Sequence, residues 1–178
     1  MIPILLAVGI LAILFIVVIA GRPDEFKVLR AAKISAPPEQ VFPHVNELKQ
    51  WDAWSPWAKI DPNCKMTFAG PSAGVDASHS WAGNNKVGEG RMTITESRAS
   101  ELVGFKLEFL RPFKATNAAE FTFKAVGNQT EVTWSMTGKN NLFFKVFGLF
   151  MDCDTMVGKD FEKGLASLKA VAEAAAKN

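Results

Sequence analysis

Between Lys65 and Gly138 one short strand-like alternation of apolar and polar residues follows another, bounded by Gly, Asn or Pro, with no internal sequence repeat. After Gly138 that period of two gives way to a period of 3.6. Met66 to Phe68 is closed by Gly70-Pro71, Ala77 to Ala82 by Gly83-Asn84-Asn85, Arg91 to Glu96 by a polar turn, and Glu101 to Leu110 by Arg111-Pro112. Glu120 to Val126 and Glu131 to Thr137 flank Gly127-Asn128-Gln129-Thr130, which reads as a hairpin connection. In the last segment Phe161, Leu165, Leu168 and Ala172 share a helix face from which Lys159, Lys163, Lys169 and Glu173 fall away. A meander of about six antiparallel strands and one long amphipathic helix each have an apolar face to hide, and each can hide the other's.

Ahead of the meander, Phe26 to Ile34 alternates as a strand and breaks at Ser35-Ala36-Pro37-Pro38. Val41, Phe42, Val45 and Leu48 then recur at helical spacing, which predicts one amphipathic helix of about ten residues. Trp51, Trp54 and Trp57 step by three and mark one wall.

The first 21 residues are of another kind. Met1 to Gly21 holds no charged side chain, whereas all 20 basic and 18 acidic residues lie from Arg22 onward. As a helix, Ile2 to Ala20 covers roughly 28 Å, close to the thickness of a bilayer core. The chain is therefore expected to divide into a membrane anchor at 1–21 and one domain at 22–178. A cleaved secretory signal is the competing reading, with Val18-Ile19-Ala20 as its small-residue site, but no Lys or Arg precedes the apolar run. Arg22, Lys27, Arg30 and Lys33 follow it, which orients the domain toward the cytoplasm.

The net charge of +2 comes from interspersed residues rather than a basic stripe, so nucleic-acid binding has no support. Cys64 and Cys153, far apart and without a paired motif, read as free thiols. With His44 and His79 the only histidines, neither a metal site nor any cofactor is expected. Asp152 and Asp154 straddle Cys153 but point in different directions on a helix.

The region from Phe26 to Ala174 closely resembles the SRPBCC, or START-like, superfamily, and within it the polyketide cyclase/dehydrase-like group. The resemblance is carried by Ala36-Pro37-Pro38-Glu39-Gln40-Val41-Phe42, Trp51 to Trp57, Gly70 through Trp81 with Gly83, Gly88-Glu89-Gly90, Thr130 to Trp134, and Phe161-Glu162-Lys163-Gly164-Leu165 with Leu168-Lys169. It implies an α+β helix-grip fold, an antiparallel sheet curled around the C-terminal helix, with a deep cavity for a lipophilic ligand between them. Members of such a superfamily range from carriers to receptors to enzymes, and a fold does not choose among them.

Alternation places His79, Trp81, Met92, Ile94, Phe105, Leu107, Phe121, Phe123, Trp134 and Met136 on the inward parity. With Trp54, Trp57, Phe147 and Met151 they form the expected ligand-binding set; a solid core is the alternative use of the same residues. The chain has 14 Phe and 5 Trp but no Tyr, so no phenol is available as an acid or carbonyl donor, which a cyclase needs. His79 is the one titratable side chain of that parity and the first candidate for a general base.

The leading expectation is a membrane-anchored module that holds or shuttles a hydrophobic small molecule, a lipid or isoprenoid-like compound, its soluble domain monomeric. The Phe143, Phe144, Phe147, Phe150 cluster would then serve as a lid or membrane-touching edge. A cyclase/dehydrase-like enzyme with His79 as base, and a chaperone-like partner of a membrane protein, are the alternatives.

Overall fold

The computed structural model describes residues 2–140, 142–149 and 153–177; side chains at 2–8, 12, 143, 144, 147 and 153 lie outside that description. Helix α1 (Ile2–Ala20) leads into β1 (Glu25–Ile34). Then come α2 (Pro38–Val41), α3 (Pro43–Asn46), a 3-10 turn at Leu48–Gln50 and α4 (Trp51–Trp54). The meander is β2 (Lys65–Ala69), β3 (Ser78–Ala82), β4 (Glu89–Arg98), β5 (Leu102–Arg111), β6 (Ala115–Val126) and β7 (Gln129–Lys139). Helices α5 (Leu142–Phe147) and α6 (Cys153–Ala175) close the chain.

Each meander strand pairs antiparallel with the next, and β1 adds beside β7, giving the order β1-β7-β6-β5-β4-β3-β2. The expected α+β architecture, a curled antiparallel sheet with a C-terminal helix in its grip, is present. Phe161, Leu165, Leu168 and Ala172 are buried as the helical period requires. They meet Val28, Ile34, Val132 and Trp134 in one continuous core.

The expected ten-residue helix is instead two single turns. Pro43 lacks the amide that would continue α2, so the chain restarts at α3. Val41, Phe42, Val45 and Leu48 are buried nonetheless, because both turns keep their apolar side against the sheet. Strand β6 begins five residues ahead of Glu120, since Ala115 to Ala119 pair fully with β5.

Helix α1 forms as its composition demands. Among the described residues no helix is long and apolar enough to cross a membrane. The reading of residues 1–21 as a bilayer span is thus met only by the helix itself, and it rests in part on side chains outside the described ones. From Ile10 to Val18 the described large side chains are 48–65% exposed, and only Ile19 turns inward.

The registers sort the loops onto two rims. Glu25 lies opposite Lys139, and Lys65, Ala82, Glu89 and Arg111 follow one another across β2 to β5. The end of α1, the start of α5, and the β3–β4 and β5–β6 turns therefore share one rim. The opposite rim carries α2, α3 and the β4–β5 and β6–β7 turns.

Gly90 shows how tightly β4 is fitted. A Cβ there would lie 2.4 Å from the Trp81 ring and 2.6 Å from the Glu108 carbonyl oxygen, and the latter is backbone that cannot step aside. Gly90→Ala should destabilise the fold by about 1–3 kcal/mol, the usual scale of overpacking. A urea midpoint indistinguishable from that of the parent protein would show the ring and strand to be looser than described.

Candidate functional site

Following the register across the concave face gives parallel rows of side chains. One row runs Val28, Met136, Ala119, Phe105, Ile94, and the next Arg30, Trp134, Phe121, Val103. These rows are filled. Trp134 stacks on Phe161 of α6 at 3.9 Å and on Phe121 at 4.7 Å, and Trp51 and Trp54 close over them. Trp54, Ile94, Phe105, Phe121, Phe123, Trp134 and Met136, all assigned to ligand binding from the sequence, thus belong to one continuous buried core.

Toward the α1 rim the rows change. One runs Phe68, His79, Met92, Leu107, Asn117, Gly138, Phe26 across all seven strands, and beyond it lie Met66, Trp81, Gly90, Phe109 and Ala115. Met66 and Phe68 are exposed, and Trp81, Leu107 and Asn117 are half-buried. Glycines at two of these positions let neighbouring side chains lie flat against the backbone, the Trp81 ring over Gly90 and Asn117 and Phe26 over Gly138, so this half-covered end of the face lies low. The predicted residues His79, Trp81, Met92 and Leu107 therefore come together here, with Met92 part of the buried core and Trp81 and Leu107 packed half-buried against it. Trp57 is a partly exposed cover over Trp134 and Phe161, at ring distances of 5.6 and 6.4 Å. The side chain of Phe147, and Met151 altogether, lie outside the described residues, as do the side chains of Phe143, Phe144, Phe150, Asp152 and Cys153. Cys64 is a half-buried free thiol.

Sequence reasoning missed Phe68 and Asn117. The alternation Met66-Thr67-Phe68 already gave Phe68 the inward parity, and its ring lies 5.8 Å from His79. Asn117 sits in an Ala-rich stretch that carries no strand signal. Its amide makes only a long contact of 3.9 Å to the Met136 sulfur. A cleft of about 260 Å³ opens beside Phe68, lined also by Leu48, Lys49, Gly70, Pro71, Ser72 and Ser78. Lys49 extends over the Phe68 ring at 5.9 Å, a cation–π contact.

The polar groups of the concave face are few. Arg30 alone carries a formal charge in these rows, and it is spent on α6: its guanidinium donates to both Asp154 carboxylate oxygens and to Glu162. Those bonds push its pKa upward. The Trp81 indole donates to the Val87 carbonyl at 3.3 Å. His79 is only 8% exposed, and its Nδ1 is buried with no hydrogen-bond partner. Burial alone lowers its pKa to about 4, so the ring is neutral at neutral pH. An unpaired polar atom at such a depth is costly and calls for a partner that none of the described residues supplies. Among the described residues no cluster of His, Cys, Asp and Glu could hold a metal ion.

A curled seven-stranded sheet gripping a C-terminal helix, with a low apolar surface at one end of the concave face, defines the helix-grip class. The family described as polyketide cyclase/dehydrase and lipid transport matches residues 25–173, and the chain belongs to it. No curated protein matches. Among solved structures, protein CV1439 of Chromobacterium violaceum aligns with a TM-score of 0.59 at 13% identity, over 85% of this chain and 99% of that one. The Aha1 dimer of Colwellia psychrerythraea aligns with 0.59 at 16%, over 83% and 96%. DynU16, described as a putative protein in the dynemicin biosynthetic locus, aligns with 0.57 at 12%, over 85% and 48%. These likenesses show the shared fold.

The His79 environment sets a pH dependence. An unfolded histidine binds its proton near 6.5, while the folded ring stays neutral down to about 4. Between those values the unfolded state holds more protons, so stability falls as pH drops through the window and is unaffected above it. A shift of this size corresponds to roughly 3 kcal/mol at the acid end. His44, whose pKa is also lowered by burial, adds to the same limb. Urea midpoints measured from pH 7 to pH 4 should fall steeply in the parent protein and clearly less in His79→Gln. Equal slopes in the two proteins would remove this ring as the source.

Proposed function

We propose that the protein is a membrane-anchored binding module that holds or shuttles a hydrophobic small molecule of lipid or isoprenoid type. The ligand lies on the concave face between β2–β5 and the helices, with His79 as its polar handle. The observation that carries this reading is the row from Phe68 to Asn117: hydrocarbon and thioether side chains bounded by a buried histidine nitrogen without a partner and a weakly bonded amide. With pairs of strands about 4.8 Å apart, His79 and Asn117 stand roughly 14 Å from each other. An apolar molecule with a hydroxyl or carbonyl near one end matches that span. The absence of a free cation in the described rows favours a neutral group over a carboxylate or phosphate there.

The anchor in this reading is α1, whose exposed apolar side chains require a non-aqueous environment. The domain faces the cytoplasm on the flanking Arg22, Lys27 and Lys33, all exposed, whereas Arg30 is engaged with α6 and drops out of that argument. The domain acts as a monomer, and nucleic acid has no part in it.

A cyclase/dehydrase-like reaction is the second reading, since the family description includes it and His79 is the candidate base. A ring with a pKa of about 4 is a weak base at neutral pH, which sets it better as a hydrogen-bond partner than as a proton acceptor.

Native mass spectrometry of the full chain extracted in mild detergent should show a bound lipophile. Leu107→Asp, at a half-buried position of the row, should strip that ligand and leave the near-UV circular dichroism of the tryptophans intact. His79→Ala should keep most of the ligand if it serves as a handle. A wild-type protein without added mass, or a Leu107→Asp protein that retains the ligand in full, would count against the carrier reading.

A further inference from the structure

The tether between α1 and the sheet is short and fixed. Only Gly21 to Asp24 separate α1 from β1, a reach of about 14 Å at full extension. That segment is not free to extend: the Asn140 backbone amide donates to the Asp24 carbonyl at 2.8 Å, the Asn140 side chain donates to the Pro23 carbonyl at 3.1 Å, and Lys145 pairs with the Asp24 carboxylate. Wherever α1 ends, the rim that carries β7's last residues and α5 must follow within a residue or two.

That rim differs from the opposite one. At its β5–β6 turn Leu110 and Phe113 are each 48% exposed, and across the mouth Leu142 is 71% exposed. The same rim carries Lys65, Lys86, Lys114 and Lys139, which, with Arg22, make no ion pair among the described residues, although the exposed Glu25 lies opposite Lys139 in the register. Its acids are largely occupied: Asp24 by Lys145, Glu89 by Arg111, and Asp61 by the backbone amides of Asn63 and Asn84. The opposite rim presents Glu39, Glu47, Asp76 and Glu101 beside Lys33, Lys49 and Lys124, so acids offset its cations. Apolar tips on a rim that carries unpaired cations fit an anionic lipid surface, where the tips enter the headgroup layer and the cations meet phosphate and carboxylate.

We propose that this rim docks on the bilayer, with the β5–β6 turn from Leu110 to Lys114 as a second membrane contact beside α1, so that the low apolar end of the concave face opens into the lipid. The proposal rests on the reading of α1 as an anchor and adds a contact that the anchor alone does not supply. A hydrophobic ligand would then pass between bilayer and concave face without crossing water.

The test uses the full chain reconstituted in phosphatidylcholine vesicles with and without phosphatidylserine. An environment-sensitive fluorescent amino acid is placed singly at Ile13, Phe113 or Val126, the last an exposed residue of the opposite rim. Lipids carrying a quencher near the headgroup or deep in the acyl chain report depth. Position 13 should be quenched by the deep probe, position 113 by the shallow probe and several-fold more with phosphatidylserine present, and position 126 by neither. Quenching at 13 with none at 113 would overturn the second contact and leave the anchor standing. No quenching at 13 would overturn the anchor and the proposal together. Equal shallow quenching at 113 and 126 would show non-specific adhesion and also overturn it. Near-UV circular dichroism of each labelled protein confirms that the fold is retained.

Discussion

The docking of α6 against the sheet depends on Trp134. Its ring lies flat on Phe161, at 3.9 Å and 5° between planes, and its other neighbours are Phe121, Trp51, Trp54 and Trp57. One side chain of β7 thus joins the sheet, α4, the segment after it and α6. So close an approach needs a helix without a side chain at the crossing, and Gly164 provides it: a Cβ there would lie 2.8 Å from the Trp134 ring and 3.1 Å from Pro56. Aromatic pairs of this geometry add to the burial of their area, so the cluster holds the sheet curved around the helix. Because the cluster occupies the middle of the concave face, any ligand space must lie beyond it.

That displacement explains the division among the residues that the sequence assigned to a ligand. Parity along a strand tells which face a residue points to, and the assignments of His79, Met92, Phe105, Phe121 and Trp134 to the concave face hold. Parity carries no information about which part of that face a helix covers. Coverage is set by where α6 crosses, which depends on Gly164 and on α4, contacts distant in sequence. The alternation therefore located the wall, and only the register rows separate the filled part from the low part.

The fold itself was largely legible. The change of period after Gly138 and the turn residues between strands placed the meander and α6, because those elements bury one face each and must alternate accordingly. What was not legible has local causes. Pro43 divided a helix whose apolar spacing continued across it. Ala115 to Ala119 joined β6 because β5 offers a full ladder of hydrogen-bonding partners, a tertiary demand that overrides a weak local propensity. Asn117, the amide on the low part of the concave face, lay hidden in that stretch for the same reason.

Two ties join β1 and its lead-in to the C-terminal helices. Arg30 fixes the first turns of α6 through Asp154 and Glu162, and Asp24, just ahead of the strand, receives Lys145 and the Asn140 amide from the chain entering α5. Lys145 of α5 and Asp154 of α6 are thereby each held by one strand or its lead-in. Exposed ion pairs of this kind contribute little to stability individually. Their consequence is positional: α5 and α6 are both referenced to β1 and its lead-in, and of the four residues that join β1 to α1, Asn140 and Lys145 bind Pro23 and Asp24. The ties at Arg30 and Asp24 are thus made of hydrogen bonds and ion pairs, distinct from the aromatic contacts around Trp134.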